Sequence, residues 1–85
     1  MAVLQVELVA ANGKIWEGEA RQVSARGVEG SFGVLPGHLP MLTVLTEGEL
    51  RIEGVDESKV VQLEDGFLSV DRDHVTIVTD SVKQS

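Results

Sequence analysis

Hydrophobic and polar residues alternate with period two through most of the chain. Leu4, Val6 and Leu8 share one phase, with Gln5 and Glu7 in the other. Leu50 and Ile52 alternate with Glu49, Arg51 and Glu53; Val61 and Leu63 alternate with Val60, Gln62 and Glu64. Leu68 and Val70 alternate with Phe67, Ser69 and Asp71, and Val75, Ile77 and Thr79 with His74, Thr76 and Val78. Successive side chains on a strand point to opposite faces, so these windows predict half-buried strands. From Lys14 to Arg26 the pattern is extended but slips phase. Trp16, Gly18 and Ala20 fall together, then Val23 and Ala25 in the opposite phase. This slip predicts a bulge or bend near residues 19–22.

Turn signals separate the windows. Asn12-Gly13 is a hairpin signal, and Glu47-Gly48, Gly54 to Ser58, Asp65-Gly66 and Asp71 to Asp73 supply further turns. Val, Ile and Thr make up about a quarter of the chain, and such β-branched side chains suit a pleated surface. Nine glycines and two prolines, scattered along the chain, leave no window with convincing helical periodicity. The pattern describes an all-β single domain of seven to ten short strands, a sandwich or small barrel. The polar end, Ser81 to Ser85, is expected to fray.

One stretch departs from this regularity. From Ser31 to Thr46 there is no Asp, Glu, Lys or Arg, in a chain that is 25% charged. Its prolines and glycines forbid a continuous helix. The part up to Pro40 is expected to be a structured loop with a short strand, and Met41 to Thr46 a strand. An uncharged loop of this length either folds over the core or meets a partner.

Composition narrows the functions available. At 85 residues the chain holds one thin core, which leaves little room for a deep enclosed active site. Fourteen acidic residues against seven basic ones give a formal net charge of −7. Such a chain has no general attraction to nucleic acid or anionic lipid. The absence of cysteine excludes a disulfide framework, thiolate chemistry and cysteine-ligated zinc. No run approaches the length of an apolar membrane span, and no basic n-region precedes the first alternating run, so neither a signal nor a transit peptide is expected.

Motifs for chemistry are missing as well. His38 and His74 are far apart, with no partner at metal-ligand spacing. Gly27, Gly30 and Gly33 are not followed by a strand-turn-helix that would aim amides at a phosphate. Neither a P-loop nor a nucleophile motif occurs, and the carboxylates are scattered over polar strand faces. Three aromatic residues are too few for a base-stacking platform. No catalytic residue, cofactor or metal is therefore expected, and a partner-binding module is the leading class. A free-standing β-sandwich module for a ligand or protein is the alternative; a small hydrolase would need a nucleophile–base pair that is not visible.

The uncharged stretch also carries a family resemblance. Gly27 to Leu42, GVEGSFGVLPGHLPML, resembles the signature GxEGELGILPGHAPLLT of the F-type ATP synthase epsilon subunit. Val6 to Ala11 with Gly13 to Gly18 is similar to that family's opening hairpin. Glu47 to Ile52 resembles its KPGxVRI stretch, and Gly66 to Val70 followed by Val75 to Asp80 its GGFLEV and VTILAD segments. The likeness covers nearly the whole chain in order.

The resemblance implies a ten-stranded antiparallel β-sandwich in a non-catalytic rotor subunit. Such a subunit binds gamma at the foot of the central stalk and touches the polar loops of the c-ring, coupling proton-driven rotation to ATP synthesis. By position it assigns Glu29, Gly30, Ser31 and Phe32 to the ring contact, and His38, Met41, Leu42 and Thr43 to the gamma contact. It implies a peripheral location on the cytoplasmic face of a bacterial inner membrane, or on a chloroplast thylakoid, without lipid insertion. Ser31 stands where the family has the second acid of its Glu-Gly-Glu motif, and Asp65 where glycine is preferred. The family's C-terminal helices, which inhibit hydrolysis and in some members bind ATP, would follow Ser85; without them no ATP binding is expected.

Overall fold

In a computed structural model, which describes residues 2–80 and 82–83, the alternating windows become nine strands and no helix among the described residues. In chain order they are β1 (Leu4–Ala10), β2 (Gly13–Gly27), β3 (Gly30–Val34), β4 (Met41–Leu45), β5 (Gly48–Gly54), β6 (Ser58–Leu63), β7 (Gly66–Asp71), β8 (His74–Thr79) and β9 (Val82–Lys83). The inward phase of each of the five alternating windows is buried, while Trp16 and Gly18 on β2 are half-buried. Leu4, Val6, Leu8, Leu50, Ile52, Val61, Leu63, Leu68, Val70, Val75, Ile77 and Thr79 are all nearly inaccessible to solvent. Thr79 carries its polar atom inward at no loss, because its Oγ1 donates to the Asp65 carbonyl at 2.7 Å.

Strand β2 organises the fold. Its first half pairs with β1, from Ala10↔Gly13 to Leu4↔Ala20. Its second half pairs with β5 on one side, Ala20↔Gly54 to Ser24↔Arg51, and with β3 on the other, Val23↔Val34 to Gly27↔Gly30. One layer therefore runs β2–β1–β8–β7–β4 and the other β3–β2–β5–β6–β9. The two inner faces meet in one hydrophobic core, the arrangement of a β-sandwich. The register of β2 against β5 shifts between Ala20 and Gln22. That bulge falls within the expected window, and it turns the buried phase from Ala20 to Val23 and Ala25.

Among the described residues, pairing is antiparallel except between β1 and β8, which run parallel from Gln5↔His74 to Ala10↔Thr79. Sequence alternation does not report strand direction, so a parallel pair leaves no mark in the pattern. Of the tail expected to fray, Val82 and Lys83 pair with Leu63 and Gln62 on β6; residues 81, 84 and 85 lie outside the described residues.

Two turns bring distant segments together. Asp71 pairs with His74, leaving Arg72 and Asp73 as the two loop residues between β7 and β8. Both have positive φ, 49° and 62°, as a type I′ hairpin requires. After β3 the chain turns at Leu35-Pro36-Gly37-His38, where the His38 N–H donates to the Leu35 carbonyl at 3.1 Å. Proline at the second position and Gly37 at φ 88° at the third are the marks of a type II turn.

Candidate docking surface

The charge-free stretch forms β3, the Leu35–Pro40 loop and β4. On β4 the residues alternate: Leu45 is buried, Met41 and Thr43 are half-buried towards the core side, and Leu42 and Val44 face outward. The loop does not fold over the core. Leu39 is 79% exposed, Leu42 73% and Leu35 56%, a cost in apolar exposure that a stretch free of charge does nothing to offset. Phe32 and Met41, by contrast, pack against the core and Leu45 lies within it, so the stretch is anchored from inside while Leu35, Leu39 and Leu42 point out.

The outward side of β4 continues across its neighbours. Val44 pairs with Phe67 on β7, and Phe67 pairs with Val78 on β8. All three are among the exposed large hydrophobics, and together they line a shallow depression of about 290 Å³ rimmed by Asp65 and Asp80. Leu42, on the same face of β4, pairs with Ser69. The result is an apolar row across three strands with carboxylates at one edge. Alternation alone marks Phe67 and Val78 only as members of strand windows. The signal that singles them out is that both are large apolar residues in the polar phase of their strands.

The two groups of candidate residues lie at opposite ends of β4. Val28 and Glu29 form the tip of the β2–β3 hairpin, and the Val28 N–H donates to the Val44 carbonyl at 3.1 Å. Gly27 pairs with Leu45. Glu29, Gly30 and Ser31 are exposed at this tip, Gly30 with φ 132°, while Phe32 turns inward and is half-buried. The Leu35–Pro40 loop enters the other end of β4 at Met41. Four strand steps separate the ends, about 13 Å. His38 is half-buried in that loop, its Nδ1 lying 2.6 Å from the Leu39 carbonyl and so serving as a donor to it. Thus Glu29, Gly30 and Ser31 form one exposed group, and the loop with Leu42 another; Phe32, Met41 and Thr43 support them from the core side.

The surface offers shape and apolar contact rather than reactive groups. Among the described residues, no cluster of His, Asp or Glu is arranged to hold a metal ion. A displaced pKa occurs away from this surface: hydrogen bonds to Glu7 and then Glu17 hold Lys14 above its ordinary 10.5. Those ion pairs, at 2.8 and 3.1 Å, join exposed side chains on β1 and β2.

Comparison with known proteins agrees with this architecture. Residues 3–85 match the family described as ATP synthase, Delta/Epsilon chain, beta-sandwich domain. Among curated relatives, the ATP synthase epsilon chain of Micrococcus luteus is 48% identical over 84 residues, covering 98% of this chain and 92% of that one. The Corynebacterium glutamicum epsilon chain is 44% identical, covering 94% of this chain and 66% of its own length. That of Psychrobacter cryohalolentis is 37% identical over the whole of this chain, which spans 62% of it. In fold, the chain is similar to a chain in the Euglena gracilis mitochondrial ATP synthase OSCP/F1/c-ring structure, with TM-score 0.89 and 24% identity over 98% of this chain and 54% of that one. With the sandwich fold and the matched residues in agreement, this chain belongs to the ATP synthase delta/epsilon family as its β-sandwich domain.

Proposed function

We propose that this chain serves as a non-catalytic central-stalk subunit of an F-type, proton-transporting ATP synthase. It binds the gamma subunit through the Leu35–Pro40 loop and the outward face of β4, with His38, Met41, Leu42 and Thr43 at or beneath that contact. It meets the polar loops of the c-ring through Glu29, Gly30 and Ser31 at the β2–β3 tip, with Phe32 as the anchor of that tip. In this way it couples rotation of the ring to ATP synthesis from a peripheral position on the cytoplasmic face of the membrane. The reading is supported by the names of its relatives and by one observation above all. Leu35, Leu39, Leu42 and Val44 stand exposed on a stretch without a single charge. A proline-stiffened, uncharged loop loses little entropy on docking and suits a lasting interface.

Binding to purified gamma tests it. Leu42→Asp should weaken the complex about 30-fold or more, because a carboxylate desolvated without a partner costs several kcal/mol. Glu53→Ala, on the exposed phase of β5, should change affinity by less than about threefold. Since Leu42 is largely exposed, the substitution should leave the isolated fold intact. No complex at micromolar concentration, or equal effects of the two variants, would refute the assignment of this face.

A further inference from the structure

The type II turn at Leu35–His38 leaves the Gly37 N–H outside the turn's own hydrogen bond. That amide donates to the Asp73 carboxylate, Oδ1 at 2.8 Å, across 36 residues of sequence. Asp73 is itself fixed from two sides. It occupies the second loop position of the β7–β8 hairpin at φ 62°, and its carbonyl accepts from the Gln5 N–H on β1 at 2.8 Å. A left-handed backbone at Asp73 therefore aims its side chain at the loop that carries Leu35 and Leu39. The bonds from the His38 N–H to Leu35 and from the His38 ring to Leu39 are internal to that loop and tie it to nothing else.

We propose that Asp73 is a positioning residue for docking: its carboxylate locks the Pro-Gly-His loop to the rigid β7–β8 hairpin and so presets the leucines for the partner. The proposal rests on the reading of this loop as gamma-facing. Without the lock, the loop must be ordered when the complex forms, and the lost conformational freedom appears as weaker binding.

Two substitutions separate this role from a structural one. Asp73→Gly removes the carboxylate but suits the second position of a type I′ turn better than any other residue does, so the hairpin survives. Asp73→Asn keeps an acceptor oxygen and tolerates positive φ. The expected results are specific. Hydrogen exchange at the Gly37 amide rises about tenfold or more in Asp73→Gly and stays near the parent rate in Asp73→Asn, while the melting temperature of both stays within a few degrees of the parent. Affinity for gamma falls about tenfold in Asp73→Gly and by less than about threefold in Asp73→Asn. Unchanged Gly37 exchange in Asp73→Gly would overturn the lock itself. Raised exchange with unchanged affinity would overturn its role in docking, provided that Leu42→Asp still weakens the complex. If Leu42→Asp has no effect either, the gamma-facing reading fails and the positioning role falls with it, while the exchange result still reports whether the lock exists.

Discussion

Phe67 and Leu68 are neighbours on β7 that the pleat sends to opposite sides, and alanine at each should have very different consequences. Leu68 is fully buried between the layers, among the largest fully buried side chains of the core. Truncating such a leucine removes its transfer energy and leaves a cavity, about 2–5 kcal/mol in all. A domain of this size has a total stability of only about 4–13 kcal/mol, scaled from typical per-residue values. At roughly 4–8 °C per kcal/mol, Leu68→Ala should lower the melting temperature by at least about 8 °C. Phe67 is 52% exposed, so about half of a phenylalanine's burial energy is at stake, ~1 kcal/mol, and its melting temperature should fall by only about 5 °C. Thermal and urea melts followed by the fluorescence of Trp16, the single tryptophan, would measure both. Phe67 adjoins Val44 on the outer face proposed to meet gamma, so the order of effects on binding to gamma should reverse, with Phe67→Ala weakening the complex and Leu68→Ala acting only through stability. Equal losses of stability, or a larger loss for Phe67→Ala, would mean that β7 is out of register and that the apolar row on the outer face does not exist.

Other expectations come from local geometry. A Cβ added at Gly54 would collide with the Glu57 carbonyl, which is backbone and cannot move aside, so Gly54→Ala should cost about 1–3 kcal/mol in chemical denaturation. Arg72 holds φ 49° at the first loop position of the β7–β8 hairpin, where asparagine is favoured; Arg72→Asn should raise stability by about 0.5 kcal/mol, seen as a slightly higher denaturation midpoint. Lys14 has a raised folded pKa, so its stabilising contribution is present below its ordinary 10.5 and is lost as pH climbs through the higher folded value. The small difference in melting temperature between the parent and Lys14→Gln should therefore persist through neutral pH and shrink in strongly alkaline buffer; a difference that vanished near pH 7 would contradict the assignment.

Much of this architecture is written in the chain because one physical signal dominates a sandwich: a face that must be dry selects apolar residues at every second position. Leu4-Val6-Leu8 and Leu68-Val70 obey that rule without exception, and the slip between Ala20 and Val23 is the trace of a real bulge. Partner choice among strands leaves no such trace, so the parallel β1–β8 pair and the dual pairing of β2 are visible only in three dimensions. At the candidate surface, the absence of charge from Ser31 to Thr46 locates the right segment but not which side chains emerge. Met41 and Thr43 sit in the same uncharged run as Leu42, yet they occupy the opposite face of β4. The Asp73 carboxylate is hidden for a different reason: a hydrogen bond between residues 36 positions apart has no local pattern.

Because both layers share β2, neither has an independent existence. Peeling one sheet from the other would mean bending a single fifteen-residue strand at its bulge and breaking its contact with β4 at Gly27 and Leu45. Force applied at the Pro-Gly-His loop reaches the Glu29 hairpin through bonded backbone, by way of β4 and β2, without crossing a slip plane. Such a body is expected to resist shear as one piece and to unfold in a single transition, properties that suit the coupling role proposed above.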